Sequence, residues 1–68
     1  MALLKVIEVL ASSEKSWEDA TKEAVKIASK TVKQIRSVYI QDMSVVVKDG
    51  NIIEYRVNAK ITFEVLTL

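Results

Sequence analysis

Ile53-Glu54-Tyr55-Arg56-Val57-Asn58-Ala59-Lys60-Ile61-Thr62-Phe63-Glu64-Val65 alternates apolar and polar residues without a slip. Period-two alternation places Ile53, Tyr55, Val57, Ala59, Ile61, Phe63 and Val65 on one face of a strand and the polar set on the other. A strand of about 15 residues is roughly 50 Å long at ~3.3 Å per residue. A short chain cannot cover that length with its own elements, and an uncovered apolar face of this kind marks an interface. The stretch therefore predicts a subunit of an assembly.

The chain has 68 residues, enough for one domain spanning 1–68 and close to the size at which a single core is marginal. It holds no cysteine and no histidine, so neither a disulfide nor a cysteine–histidine zinc site supports the fold. Oligomerisation is the remaining means. Half the residues are hydrophobic, with one glycine and no proline, a composition that does not fit disorder. A formal charge of +1 gives no long-range attraction to nucleic acid or to a membrane surface. The apolar start Ala2-Leu3-Leu4 meets Lys5 at once, unlike a signal peptide, and no run approaches the ~20 apolar residues of a bilayer span. These features predict a soluble, cytoplasmic protein.

Around the alternating stretch the other elements fall into place. Leu3 to Leu10 is rich in β-branched residues and reads as a first strand. Ala11-Ser12-Ser13-Glu14-Lys15-Ser16 breaks it. Ser16 is the expected helix N-cap, answered by Asp19 as in a capping box, with Ser13 as the alternative. Trp17, Ala20, Ala24, Ile27, Ala28, Thr31, Val32 and Ile35 then recur at helical spacing. Glu18 and Asp19 at the start, and Lys30, Lys33 and Arg36 towards the end, suit the helix dipole. This predicts a helix of about 19 residues, roughly 28 Å long. Ser37 to Lys48 reads as a second strand, and Asp49-Gly50 as a hairpin turn into the third. The expected fold is α+β, β-α-β-β, with a three-stranded antiparallel sheet in strand order 1-3-2 partly wrapped around one helix.

Side chains for catalysis are scarce. Histidine, the usual base near neutral pH, is absent, and one glycine makes no phosphate loop. Ser12, Ser13 and Ser16 read as capping residues, and Glu18 and Asp19 as dipole partners. Trp17 reads as a packing aromatic or a stacking platform for a planar ligand, and Tyr39 and Tyr55 as packing on strands. Lys22, Lys26, Lys30 and Lys33 form a solvated helix edge, or more weakly an anion surface. Asp42 stands out, since it interrupts an apolar strand where aspartate is disfavoured. An inward-pointing charge can guard a sheet edge, and copies of Asp42 brought together by symmetry can hold a hard cation.

Lys5-Val6-Ile7-Glu8-Val9, Ala11-Ser12-Ser13, Ser16-Trp17-Glu18-Asp19-Ala20, Ala28 with Lys30-Thr31-Val32, Asp49-Gly50, Tyr55-Arg56-Val57 and Lys60-Ile61-Thr62-Phe63 together resemble the dodecins, small flavin-binding proteins that form hollow dodecamers. The resemblance runs from Lys5 to Glu64 and implies one dodecin-like domain over 1–68. In flavin-binding dodecins a tryptophan at the start of the second strand stacks on the isoalloxazine ring; here that position is Ser37. A glutamine on the third strand reads the flavin's polar edge; here it is Arg56. Flavin (FMN or riboflavin) is thus the cofactor the family implies, at two positions that have both changed. Asp42 aligns with an aspartate that faces a threefold axis in some members and holds a divalent cation, calcium or magnesium. The Ser-Trp-Glu helix start and Gln-Asp-Met on strand two resemble a branch associated with calcium. The expectation is a non-catalytic subunit of a homododecamer that binds or stores a small ligand, its partners being itself and that ligand, with no nucleic acid and no membrane. A calcium-binding or purely structural shell is the first alternative. A small interaction module using its exposed strand edges is the second.

Overall fold

The computed structural model describes residues 2–67, with side chains from 3 to 65. Strand β1 (Ala2–Ser13) leads into helix α1 (Trp17–Ala28), followed by β2 (Ile35–Lys48) and β3 (Asn51–Thr67). The sheet has three strands in the order β1-β3-β2, and both pairings are antiparallel. Fold class and strand order are those expected from the sequence. The hairpin turn places Asp49 at φ 52° and Gly50 at φ 77°. Two successive left-handed residues are what a two-residue hairpin requires, because this turn matches the twist of the flanking strands.

Ser16 caps the helix, its Oγ accepting from the Asp19 backbone N–H at 2.9 Å. The Asp19 carboxylate is engaged elsewhere: the Ser13 hydroxyl donates to its Oδ2 at 2.6 Å. Ser13 in turn accepts from the Lys15 N–H at 2.9 Å. Both candidate serines are therefore used, one as the cap and one to tie the end of β1 to the first helical turn.

The helix is shorter than its stripe predicts, with 12 residues instead of about 19, or about 18 Å of length. Thr31 and Val32 fall in the turn after it, and Ile35 opens β2. Stiff β-branched side chains at 31 and 32 disfavour a further helical turn. Gln34 then swings to φ 59°, and its carbonyl accepts the Glu64 N–H at 3.0 Å. The neighbouring strand thus captures the chain where the helix gives out.

Coverage follows from these lengths. Ala20 and Ala24, both buried, let α1 lie close to β3, where Val57, Ala59 and Ile61 are buried beneath it. Tyr55 and Phe63 are half-buried, and at the ends of the same face Ile53 and Val65 are 44% and 50% exposed. The long axis measures 53 Å. The radius of gyration is 14.0 Å, against about 11 Å for a compact chain of this length. The accessible surface, 5091 Å², exceeds the roughly 4,300 Å² expected at 7.6 kDa.

The apolar phase of β2 changes midway. Val38 and Ile40 pair with Ile61 and Ala59, whereas Met43 and Val45 pair with Val57 and Tyr55, on the same sheet face. The register shift between Ile40 and Asp42 takes Gln41 out of the ladder and converts an even series into an odd one.

Ala20 has no exposed surface, so Ala20→Leu should overpack the contact between α1 and β3 and cost about 1–3 kcal/mol. Gly50→Ala, at a left-handed position open to solvent, should cost about 1–2 kcal/mol. Denaturant midpoints at fixed protein concentration check both.

Candidate functional site

The face of the sheet opposite α1 carries the polar side of β3, and the register fixes its neighbours. Ser12 and Ser44 flank Arg56, Leu10 and Asp42 flank Asn58, Glu8 and Tyr39 flank Lys60, and Val6 and Ser37 flank Thr62. A cleft of about 460 Å³ opens on this face at the hairpin end, lined by Leu10, Ala11, Ser12, Ser44, Glu54, Arg56, Val57 and Asn58. Its volume lies in the range of small-molecule sites. Arg56 Nε pairs with Glu54 Oε1 at 3.5 Å. Asn58 Oδ1 is buried and has no hydrogen-bond partner. A buried acceptor left unpaired is costly and calls for a donor.

The candidates from the sequence do not converge in one chain. Arg56 lines the cleft, but Ser37 stands opposite Thr62, about 20 Å further along β3 at ~3.3 Å per residue. A ligand that touched both positions would have to take them from different copies. Asp42 is exposed and is the cross-strand partner of Asn58. It is not an inward-pointing charge under the helix, because the bulge at Gln41 turns it to the helix-free face. No group of three or more acidic, histidine or cysteine side chains is placed to hold a metal among the described residues. Ser44 and Asn58 had no sequence signal of their own and become site residues through the register alone.

Trp17 packs edge-on against Tyr55, with ring centroids 5.2 Å apart at 79°. Its indole N–H donates to the Ser44 carbonyl at 3.0 Å. The ring thus joins the helix start to both hairpin strands, which is the packing reading. Tyr39, 65% exposed, lies beside Lys60 on the helix-free face rather than among apolar neighbours. On the solvated helix face Lys22 Nζ pairs with Glu18 Oε1 at 3.3 Å. No helix of the described residues is long and apolar enough to cross a membrane.

Trp17→Phe keeps a ring against Tyr55 and loses the indole hydrogen bond, so it should cost about 1 kcal/mol. Trp17→Ala should cost about 2–3 kcal/mol, less than a fully buried ring because Trp17 is 37% exposed. The difference is read from chemical unfolding of the two variants.

A single helix on a longer antiparallel sheet, with a ligand-sized cleft on the bare face, defines a small α+β protein of the β-α-β-β class. The dodecin family matches residues 3–66, and the chain belongs to it. It is 33% identical over 64 residues to the calcium dodecin of Mycobacterium tuberculosis, covering 94% of this chain and 90% of that protein. A crystal structure of calcium dodecin from that organism, described as calcium-chelating with a novel calcium-binding site, matches with TM-score 0.83 at 31% identity, over 94% of this chain and 91% of that one. Dodecin from Streptomyces coelicolor shares the fold with TM-score 0.92 at 22% identity, over 98% and 96% of the two chains. A Thermus thermophilus protein does so with TM-score 0.92 at 20% identity, over the whole of both.

Proposed function

We propose that the chain is a non-catalytic subunit of a hollow homododecamer that binds or stores a small ligand, residues 1–68 acting as one domain in the cytoplasm. The observation that carries this reading is the excess surface. The 5091 Å² exposed by the chain lies about 800 Å² above that of a compact chain of its mass. That is the share one partner contributes to a standard interface. The excess coincides with apolar residues that α1 does not reach, among them Met43, Val47, Ile52, Ile53 and Val65. Membership of the dodecin family points the same way.

A divalent cation is the ligand this chain suits better than a stacked flavin. Ser37 has no ring to stack, and Arg56 stands where the glutamine reader would be. Asp42 and the unpartnered Asn58 Oδ1 are cross-strand neighbours and are hard oxygen donors of the kind calcium and magnesium take. Calcium takes about 6–8 oxygens, so two from one chain require further copies around a symmetry axis to complete the shell. The calcium dodecin of M. tuberculosis supports this choice.

Sedimentation velocity at micromolar concentration should give one species of about twelve chain masses; a monomer or dimer overturns the shell, and a heterologous partner captured by that monomer would favour an interaction module. Asp42→Ala should assemble and weaken calcium binding by at least about tenfold, the loss expected for a charged oxygen ligand, as measured by calorimetric titration. Wild-type affinity in that variant removes Asp42 from the site. Riboflavin titrated under the same conditions should keep its fluorescence, and quenching would restore the flavin reading.

A further inference from the structure

The cleft at Arg56 presents a row of hydrogen-bond donors that the chain itself does not use. Ser12 on β1 and Ser44 on β2 are both in direct register with Arg56 on β3. Three donor side chains therefore stand abreast across the whole sheet, with adjacent strands about 4.8 Å apart. Arg56 commits Nε to Glu54, and its two terminal nitrogens have no protein acceptor among the described residues. A guanidinium edge of this kind takes phosphate or carboxylate oxygens in pairs, with a geometry that lysine or glutamine does not reproduce.

The surroundings add a second requirement. Leu10 forms an apolar wall, 82% exposed in the chain, and the cleft of about 460 Å³ is far larger than a bare inorganic anion needs. We propose that this cleft binds a small organic anion: a phosphate or carboxylate head on Arg56, Ser12 and Ser44, with an apolar body against Leu10. The inference deepens the ligand-holding part of the reading above and rests on it. It assigns the cleft an organic ligand distinct from a cation at Asp42, and of opposite charge.

Calorimetric titration of the wild-type protein with phenyl phosphate and with benzoate, using phenol as the uncharged counterpart, tests it. At least one anion should bind saturably, at least about tenfold more tightly than phenol, as expected for hydrogen bonds to a charged group, and more weakly as salt is raised. The tighter of the two anions identifies the head group. Arg56→Gln should lose that preference, and the S12A/S44A double variant should weaken the anion and leave phenol unchanged. Equal binding of phenol, no binding of either anion, or wild-type affinity in Arg56→Gln overturns the proposal. Sedimentation of each protein separates loss of the cleft from loss of the shell. If Arg56→Gln does not assemble, the double variant decides, and unchanged anion affinity in it overturns the proposal. A wild-type chain that stays monomeric yet binds the anion sinks the shell and keeps the anion site.

Discussion

Helix α1 covers only the middle of β3, and most of the molecule's character follows from that shortfall. Twelve helical residues lie on a strand of 17, about 18 Å against roughly 56 Å. The three β3 residues under the helix, Val57, Ala59 and Ile61, are sealed. The stabilisation from burying a Val or Ile, about 1.5–3 kcal/mol each, is obtained only there. Beyond this patch the strand continues its apolar alternation with nothing of its own chain above it. A mutation under α1 therefore tests the stability of the single chain, whereas one at Ile53 or Val65 leaves that buried patch untouched.

The alternation of β3 made the sheet, the strand order and the excess length legible, because period two is a local property and the Asp49-Gly50 turn fixed the connection. The end of the helix was not legible. Thr31, Val32 and Ile35 keep the helical spacing, so the stripe ran on past the point where the structure stops. What ended the helix was competition: β-branched residues weakened the next turn, and β3 offered the Gln34 carbonyl a hydrogen bond from Glu64. That contact is long-range and leaves no trace in a window of the sequence.

The site was legible in part for a similar reason. Arg56 and Asp42 drew notice as residue types in unusual places, but their neighbours depend on register. The turn alone pairs Lys48 with Asn51 and, counted on without interruption, would put Met43 opposite Arg56. An irregularity near Val46 and Val47 leaves Ile53 out of the ladder, and Ser44 becomes the partner instead. A second, at Gln41, restores the count and turns Asp42 to the face bearing Asn58. A one-residue slip exchanges the two faces of a strand, so these two bulges decide which side chains meet. Neither bulge was apparent in the sequence, although the change from Val38 and Ile40 to Met43 and Val45 marks the second.

The helix-free face is neither a core nor an ordinary solvent face. Its central strand is polar, with Glu54, Arg56, Asn58, Lys60, Thr62 and Glu64, while its edge strands carry Leu4, Val6 and Leu10 on one side and Tyr39 and Val46 on the other. A surface meant only for water would gain nothing from apolar edges, and one meant to be buried whole would not keep a guanidinium at its centre. Both features are accommodated if neighbouring copies cover the edges and leave the middle strand facing an enclosed, wet space. Arg56 and Asp42 lie two residues along and one strand across from each other, about 8 Å apart. If the two proposed ligands bind there, their opposite charges would couple the sites: a cation at Asp42 would strengthen the hold on an anion at Arg56, and the anion would strengthen the hold on the cation by the same factor.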